Sequence, residues 1–223
     1  AIGKPVGTYV TIDVKNLKIA QDEEIQKTSE TLSSELKHII DEHVDKQEEI
    51  LIVGLGNIYV TPDSLGPKVT NEIDVTRHII KYLPQYVEKG TRSVSAVAPG
   101  VLGTTGIETL EILKGITDNV KPKLLVVIDA LATRSLERIS STIQISDTGI
   151  VPGAGVGNKR QEISQNTLGV PVIAIGIPTV VELATIVPAE ELGDNNMIVT
   201  PKEIDDLIEK MKDIVARGIN FAV

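Results

Sequence analysis

The chain has 223 residues, long enough for a sizeable core and compatible with one α/β domain spanning 1–223. Hydrophobic residues at 41% and charged residues at 24% are ordinary for a soluble globular protein, while only 2% aromatics means a core built from Val, Ile, Leu and Ala. A net charge of -9 argues against a nucleic-acid partner, and the absence of Cys excludes disulfides, thiol catalysis and thiolate metal sites. No apolar run approaches the roughly 20 residues of a membrane span. The opening AIGKPVGTYV has no signal-peptide hydrophobic stretch, so no membrane partner is expected and the cytoplasm is the expected location.

In chain order, TYVTIDV (8–14) alternates and is rich in β-branched residues, which predicts an edge strand. DEEIQKTSETLSSELKHIIDEHV puts Ile25, Leu32, Leu36, Ile39, Ile40 and Val44 on one stripe of a helix. ILIVGLG is a continuous apolar run, the pattern of a strand covered on both faces. PKVTNEIDVTRHIIKYL follows as a single helix with Pro67 in its first turn. SVSAVAPG reads as a strand, GIETLEILKGITDNV as a helix, KLLVVIDAL as a buried strand, STIQISD as a short strand, NKRQEISQNTLG as a helix and VPVIAIGIP as a buried strand. VPAEELGDNNMIVTP is loop-like. The final helix, TPKEIDDLIEKMKDIVARGI, is expected to start with Thr200 as N-cap, Pro201 first and Glu203 third. Strand and helix alternate throughout. The expected class is therefore α/β: a mostly parallel central sheet with helices on both faces.

Two glycine-rich stretches call for a cofactor test. After the apolar run, Gly54-Leu-Gly56-Asn57 lacks the third glycine of a dinucleotide loop, because Tyr59 stands there, and Thr61 and Pro62 delay any helix. GAGVGNKR (153–160) places Asn158 before Lys159 and Arg160 after it, where a phosphate loop needs Gly-Lys-Ser/Thr, so a flexible surface loop is expected. No cofactor is expected from either.

The carboxylates are more informative. Asp63 follows the first buried strand through a short loop, and Asp129 ends the apolar run of KLLVVID. In an open parallel sheet, sites form outside the carboxyl ends of the strands, so both are expected at one rim. A carboxylate at the end of an apolar strand is costly unless paired or functional. Two such groups held together ionise at different pH, so one can serve as acid while the other activates water. Two oxygen ligands fall short of a hydrolytic zinc site, which usually takes three protein ligands, often including His. His38 and His43 are five apart on a helix, and His78 is expected within another, so all three read as surface or packing residues. No G-x-S-x-G elbow is present.

VGLGNIYVTPDSLGP, SAVAPGVLGTTGIET, VVIDALATRSLERISSTIQISDTGIVPGAGVGNKR and GVPVIAIGIPTVV together resemble the germination proteases of endospore-forming bacteria, over nearly the whole chain from Tyr9 to about Val187 and again in the last helix. The resemblance implies an endopeptidase that degrades small acid-soluble spore proteins at germination, in the cytoplasm of the spore core. It implies an atypical aspartic peptidase, made as a tetrameric zymogen and active as a homotetramer. The implied fold is similar to that of hydrogenase-maturation endopeptidases (phosphorylase/hydrolase-like), which bind a metal at the corresponding rim. The two essential aspartates of the family correspond to Asp63 and Asp129, with no metal. Gly54, Gly56 and Asn57 are expected to shape the loop beside them. The APGVLGTTGIET block, with Pro99, Gly100, Gly103 and Glu108, is expected to wall the cleft and offer backbone donors to an oxyanion. The family's longer N-terminal region with its pro-segment has no counterpart here, and the stretch after Val187 is shorter than in the family. A metal-dependent maturation-type peptidase using the same two Asp residues and a catalytically silent binding module of the same fold are the alternatives.

Overall fold

The computed structural model describes residues 5–14, 17–153, 160–187 and 197–223. Among the described residues, seven strands form one sheet: β1 (Tyr9–Asp13), β2 (Ile50–Gly54), β3 (Val94–Val97), β4 (Leu124–Thr133), β5 (Thr142–Ser146), β6 (Val172–Glu182) and β7 (Ile198–Val199). Their spatial order is β1-β5-β6-β4-β2-β3, with β7 beside the end of β6. The inner strands β3, β2, β4 and β6 are parallel, as the unbroken apolar runs predict, while β5, β1 and β7 join antiparallel. Residues 134–141, between β4 and β5, are too few for the crossover that a parallel return needs.

Alternation along the strands divides the core into two layers. Ile50, Ile52, Leu124, Val126, Ile128, Ile173 and Ile175 face one layer, where α1 (Asp22–His43), α2 (Leu65–Thr70) and the C-terminal helix α7 (Ile204–Ala222) pack. Leu51, Val53, Leu125 and Val127 face the other, against Leu113 and Ile116 of α5 (Thr109–Val120) and Leu168 of α6 (Gln165–Leu168). Helices thus flank both faces. The whole expected stripe of α1 is buried, and α7 approaches it at Gly218, where a Cβ would stand 2.8 Å from Leu32 Cδ2. Among the described residues, no helix is long and apolar enough to cross a membrane.

Three expected elements differ. The helix over 67–83 is broken into α2 and α3 (Arg77–Tyr82). Thr76 is diverted between them: its Oγ1 donates to the Arg92 carbonyl at 2.5 Å and accepts the Val94 N–H at 2.9 Å, tying the segment to β3. Of the helix expected over 158–169, only the single turn α6 forms, because Ile163 pairs with Ile150 in an antiparallel bridge; residues 158–159 lie outside the described residues. Helix α7 starts at Ile204 rather than just after Thr200, whose hydroxyl donates to the Thr179 carbonyl at 2.8 Å and anchors the strand ends instead.

Candidate active site

The carboxyl ends of β2, β4 and β6 and the loop after β3 meet at one rim, around a cleft of about 650 Å³. Asp63 and Asp129 both line it, as their strand positions predict.

Asp63 is placed by close backbone crossings. A Cβ on Gly54 would stand 2.1 Å from the Gly66 carbonyl oxygen, and one on Gly66 would stand 2.2 Å from that of Leu55, so β2 and the start of α2 touch backbone to backbone. The chain then turns at Gly56, whose φ of +115° favours glycine and whose Cβ would fall 2.0 Å from the Asp63 carbonyl oxygen. A 3-10 turn at Thr61–Asp63 returns the chain to the rim. The Asn57 N–H donates to Asp63 Oδ2 at 2.8 Å, and Asn57 Oδ1 accepts the Tyr59 N–H at 3.0 Å. Gly54 and Gly56, which the dinucleotide-loop test set aside, therefore position a carboxylate.

Asp129 is placed by the sheet. It sits inside β4, opposite Gly176 of β6, and is 4% exposed. Its Oδ2 is buried with no hydrogen-bond partner among the described residues. Burial first, and then the charge of Asp63, push its pKa up to about 8, against a lowering by the Ala130 N–H. Burial also raises the pKa of Asp63, opposed by the bond from Asn57. Burial thus favours the protonated form of both groups, and more strongly that of the more deeply buried Asp129.

Of the other expected site residues, Gly56, Asn57, Gly100 and Gly103 line the cleft. Gly100 has a φ of +77°, and Gly103 lies in the short helix α4 (Leu102–Thr105). Gly54, Pro99 and Glu108 do not line it: Gly54 and Pro99 are buried behind the wall, and Glu108 precedes α5, with Oε1 3.4 Å from Arg160 Nη1. Arg160 does line the cleft, as does Gly153, so the described ends of the glycine-rich stretch 153–160 belong to the site rather than to a remote surface; residues 154–159 lie outside the described residues. Sequence reasoning missed Arg160, Thr109, Val151 and the β6–β7 residues Thr179, Val180 and Ile198, because only the tertiary fold brings these loops and strand ends to the rim. His38 and His43 face Glu42 and Asp147, at 3.6 and 3.5 Å, and His78 is exposed on α3; none lines the cleft. Among the described residues, no group of three His, Asp or Glu side chains is arranged to hold a metal.

A family model described as germination protease matches residues 1–191. The germination protease of Caldanaerobacter subterraneus subsp. tengcongensis is 46% identical over 264 aligned positions, covering all of this chain and 80% of that protein. That of Clostridium acetobutylicum is 44% identical over 261 positions, and that of Bacillus cytotoxicus 40% over 294, each with the same coverage. The alignments are longer than the 223 residues of this chain, so these relatives carry internal residues that it lacks. The fold is also similar to the crystal structure of a NiFe hydrogenase maturation protease, HycI, from Thermococcus kodakarensis KOD1, at 19% identity and a TM-score of 0.39, covering 79% of this chain and 98% of that one. With the family model spanning most of its length and relatives at 40–46% identity, the chain belongs to the germination protease family and is a protease.

Proposed function

We propose that the chain is a germination endopeptidase that hydrolyses small acid-soluble spore proteins with Asp63 and Asp129 acting together on a water molecule. The observation that carries this reading is the buried, unpartnered Oδ2 of Asp129 in the same cleft as Asp63. Asp63, ionised first, takes a proton from water as its oxygen attacks the scissile carbonyl carbon. Asp129, still protonated, donates to the carbonyl oxygen as charge develops there. Collapse of the tetrahedral intermediate breaks the C–N bond: the proton held on Asp63 passes to the leaving amine, and the former carbonyl oxygen returns its proton to Asp129 as the C=O bond re-forms. The Gly100–Gly103 segment forms the facing wall and offers backbone amides to the oxyanion. The same family resemblance supports a homotetramer in the spore core, produced from a zymogen.

Purified chain is incubated with a small acid-soluble spore protein, with and without a chelator, and the products are weighed by mass spectrometry. Discrete cleavage unaffected by the chelator is expected. Loss of cleavage with chelator, restored by zinc, would favour the metal-dependent alternative. No cleavage at all would favour a silent binding module.

A further inference from the structure

Strand β4 outlasts its neighbour. β2 pairs with it from Ile50↔Leu124 only to Gly54↔Ile128, whereas β6 follows it to Thr133↔Val181. The last bond on the β2 side runs from the Leu55 N–H to the Ile128 carbonyl, at 2.8 Å. Beyond it the chain of β2 is drawn away by the Gly54–Gly66 crossing and the turn at Gly56. Backbone groups along a strand alternate between its two neighbours. Because the Ile128 carbonyl points to the β2 side, the main-chain groups of Ala130 and Ala132 point there too. The register shift near Leu131 leaves this alternation intact, because the extra residue, Thr179, is on β6.

No strand among the described residues pairs with β4 on that side beyond Ile128. The Ala130 N–H is engaged by the Asp129 carboxyl. Among the described residues, that leaves the Ala130 carbonyl and both main-chain groups of Ala132 open to the cleft. Ala130, Leu131 and Ala132 are half-buried and line the cleft next to the two carboxylates. An open row of ladder groups is a template for another strand, and here the two small alanine side chains leave room for a backbone to approach.

We propose that the cleft-facing edge of β4 from Ala130 to Ala132 is the docking strand for substrate: an extended segment of the protein substrate adds itself there as a β-strand, which carries its scissile bond past Asp63 and Asp129. This rests on the peptidase reading above. It makes recognition depend on the substrate backbone and on alternate side chains, and it requires the cleaved segment to be unfolded or to open locally.

The test uses a synthetic peptide spanning a cleavage site mapped in a small acid-soluble spore protein, remade with a single N-methyl group at each backbone amide in turn. N-methylation removes one donor and blocks strand pairing wherever that amide faces β4. The expected pattern is a loss in kcat/KM of about 10-fold or more at two amides two residues apart, those that donate to the Ala130 and Ala132 carbonyls, and little change at the amide between them. Ala132→Pro deletes only a cleft-facing N–H and leaves the β4–β6 ladder whole, so it is expected to cost about 10-fold in kcat/KM on the unmodified peptide with an unchanged melting temperature. If that variant fails to fold, the methylated peptides on the unaltered chain still decide. Equal rates for all methylated peptides, or equal losses at every position, would overturn the docking while leaving the peptidase reading intact. Failure of the unaltered chain to cleave any spore protein would sink that reading and the docking with it.

Discussion

The two carboxylates of the cleft are held by opposite means. Asp129 is fixed inside a ten-residue strand that continues past its neighbour, with 4% exposure and one carboxyl oxygen unpartnered. Asp63 rides on a three-residue turn reached through glycine crossings, is partly exposed, and accepts the Asn57 N–H. One is positioned by the sheet and left short of polar partners; the other is positioned by its loop and hydrogen-bonded. In the proposed mechanism that asymmetry is what lets the same chemical group serve two tasks.

The largest expected effect tests whether both halves are needed. Asp63→Asn and Asp129→Asn should each lower turnover of a spore-protein substrate by about 10²–10⁴-fold, the usual contribution of a positioned acid or base. The double variant should be little worse than either, because groups acting as one unit are not additive. Near-normal cleavage by either single variant, checked for folding by circular dichroism, would break the pairing.

The loop side can be broken mechanically. Gly54→Ala would drive a Cβ into the Gly66 backbone and should cost about 1–3 kcal/mol of stability by denaturant melts, with a displaced Asp63 and reduced turnover. Gly103→Ala, at the cleft and with open space around its Cβ, should stay within about 0.5 kcal/mol of the parent. Equal effects of the two would mean that the crossing does not position the loop.

The strand side makes a pH-dependent prediction. An unfolded Asp ionises near 3.9, roughly, whereas folded Asp129 keeps its proton up to about 8. Between those values the folded state holds a proton that the unfolded chain has released, so this group's contribution to stability is complete below the lower value and is lost as pH rises through the upper one. Asp129→Asn removes that dependence. Its melting temperature should gain on the parent steadily from pH 5 to pH 8, the direction set by the raised pKa of folded Asp129. A constant difference across that range would contradict the burial argument.

The same contrast explains how much was legible in the sequence. Asp129 could be read because LLVVID is an apolar run ending in a carboxylate, and the rim of a parallel sheet follows from the run itself. Asp63 could be placed at that rim, but not the reason for its glycines, since Gly54 and Gly66 meet only through the packing of α2 on β2. The break at Thr76 depends on Arg92 and Val94, and the late start of α7 on the Thr179 carbonyl. Arg160 looked like part of a surface loop because nothing near it in sequence reveals Glu108, 52 residues away. Periodicity reports burial along one element; it carries no information about which distant element will meet it.

The most direct test of the central claim, that Asp129 holds the proton beside an ionised Asp63, is a pH titration of the side-chain carboxyl carbons by NMR on isotope-labelled chain, in the parent and in Asp63→Asn. Asp129 is expected to titrate at about 8 in the parent, above Asp63, and at lower pH in Asp63→Asn, where the neighbouring charge is gone. An Asp129 that titrates in the ordinary carboxylate range, or whose titration ignores the loss of Asp63, would contradict it.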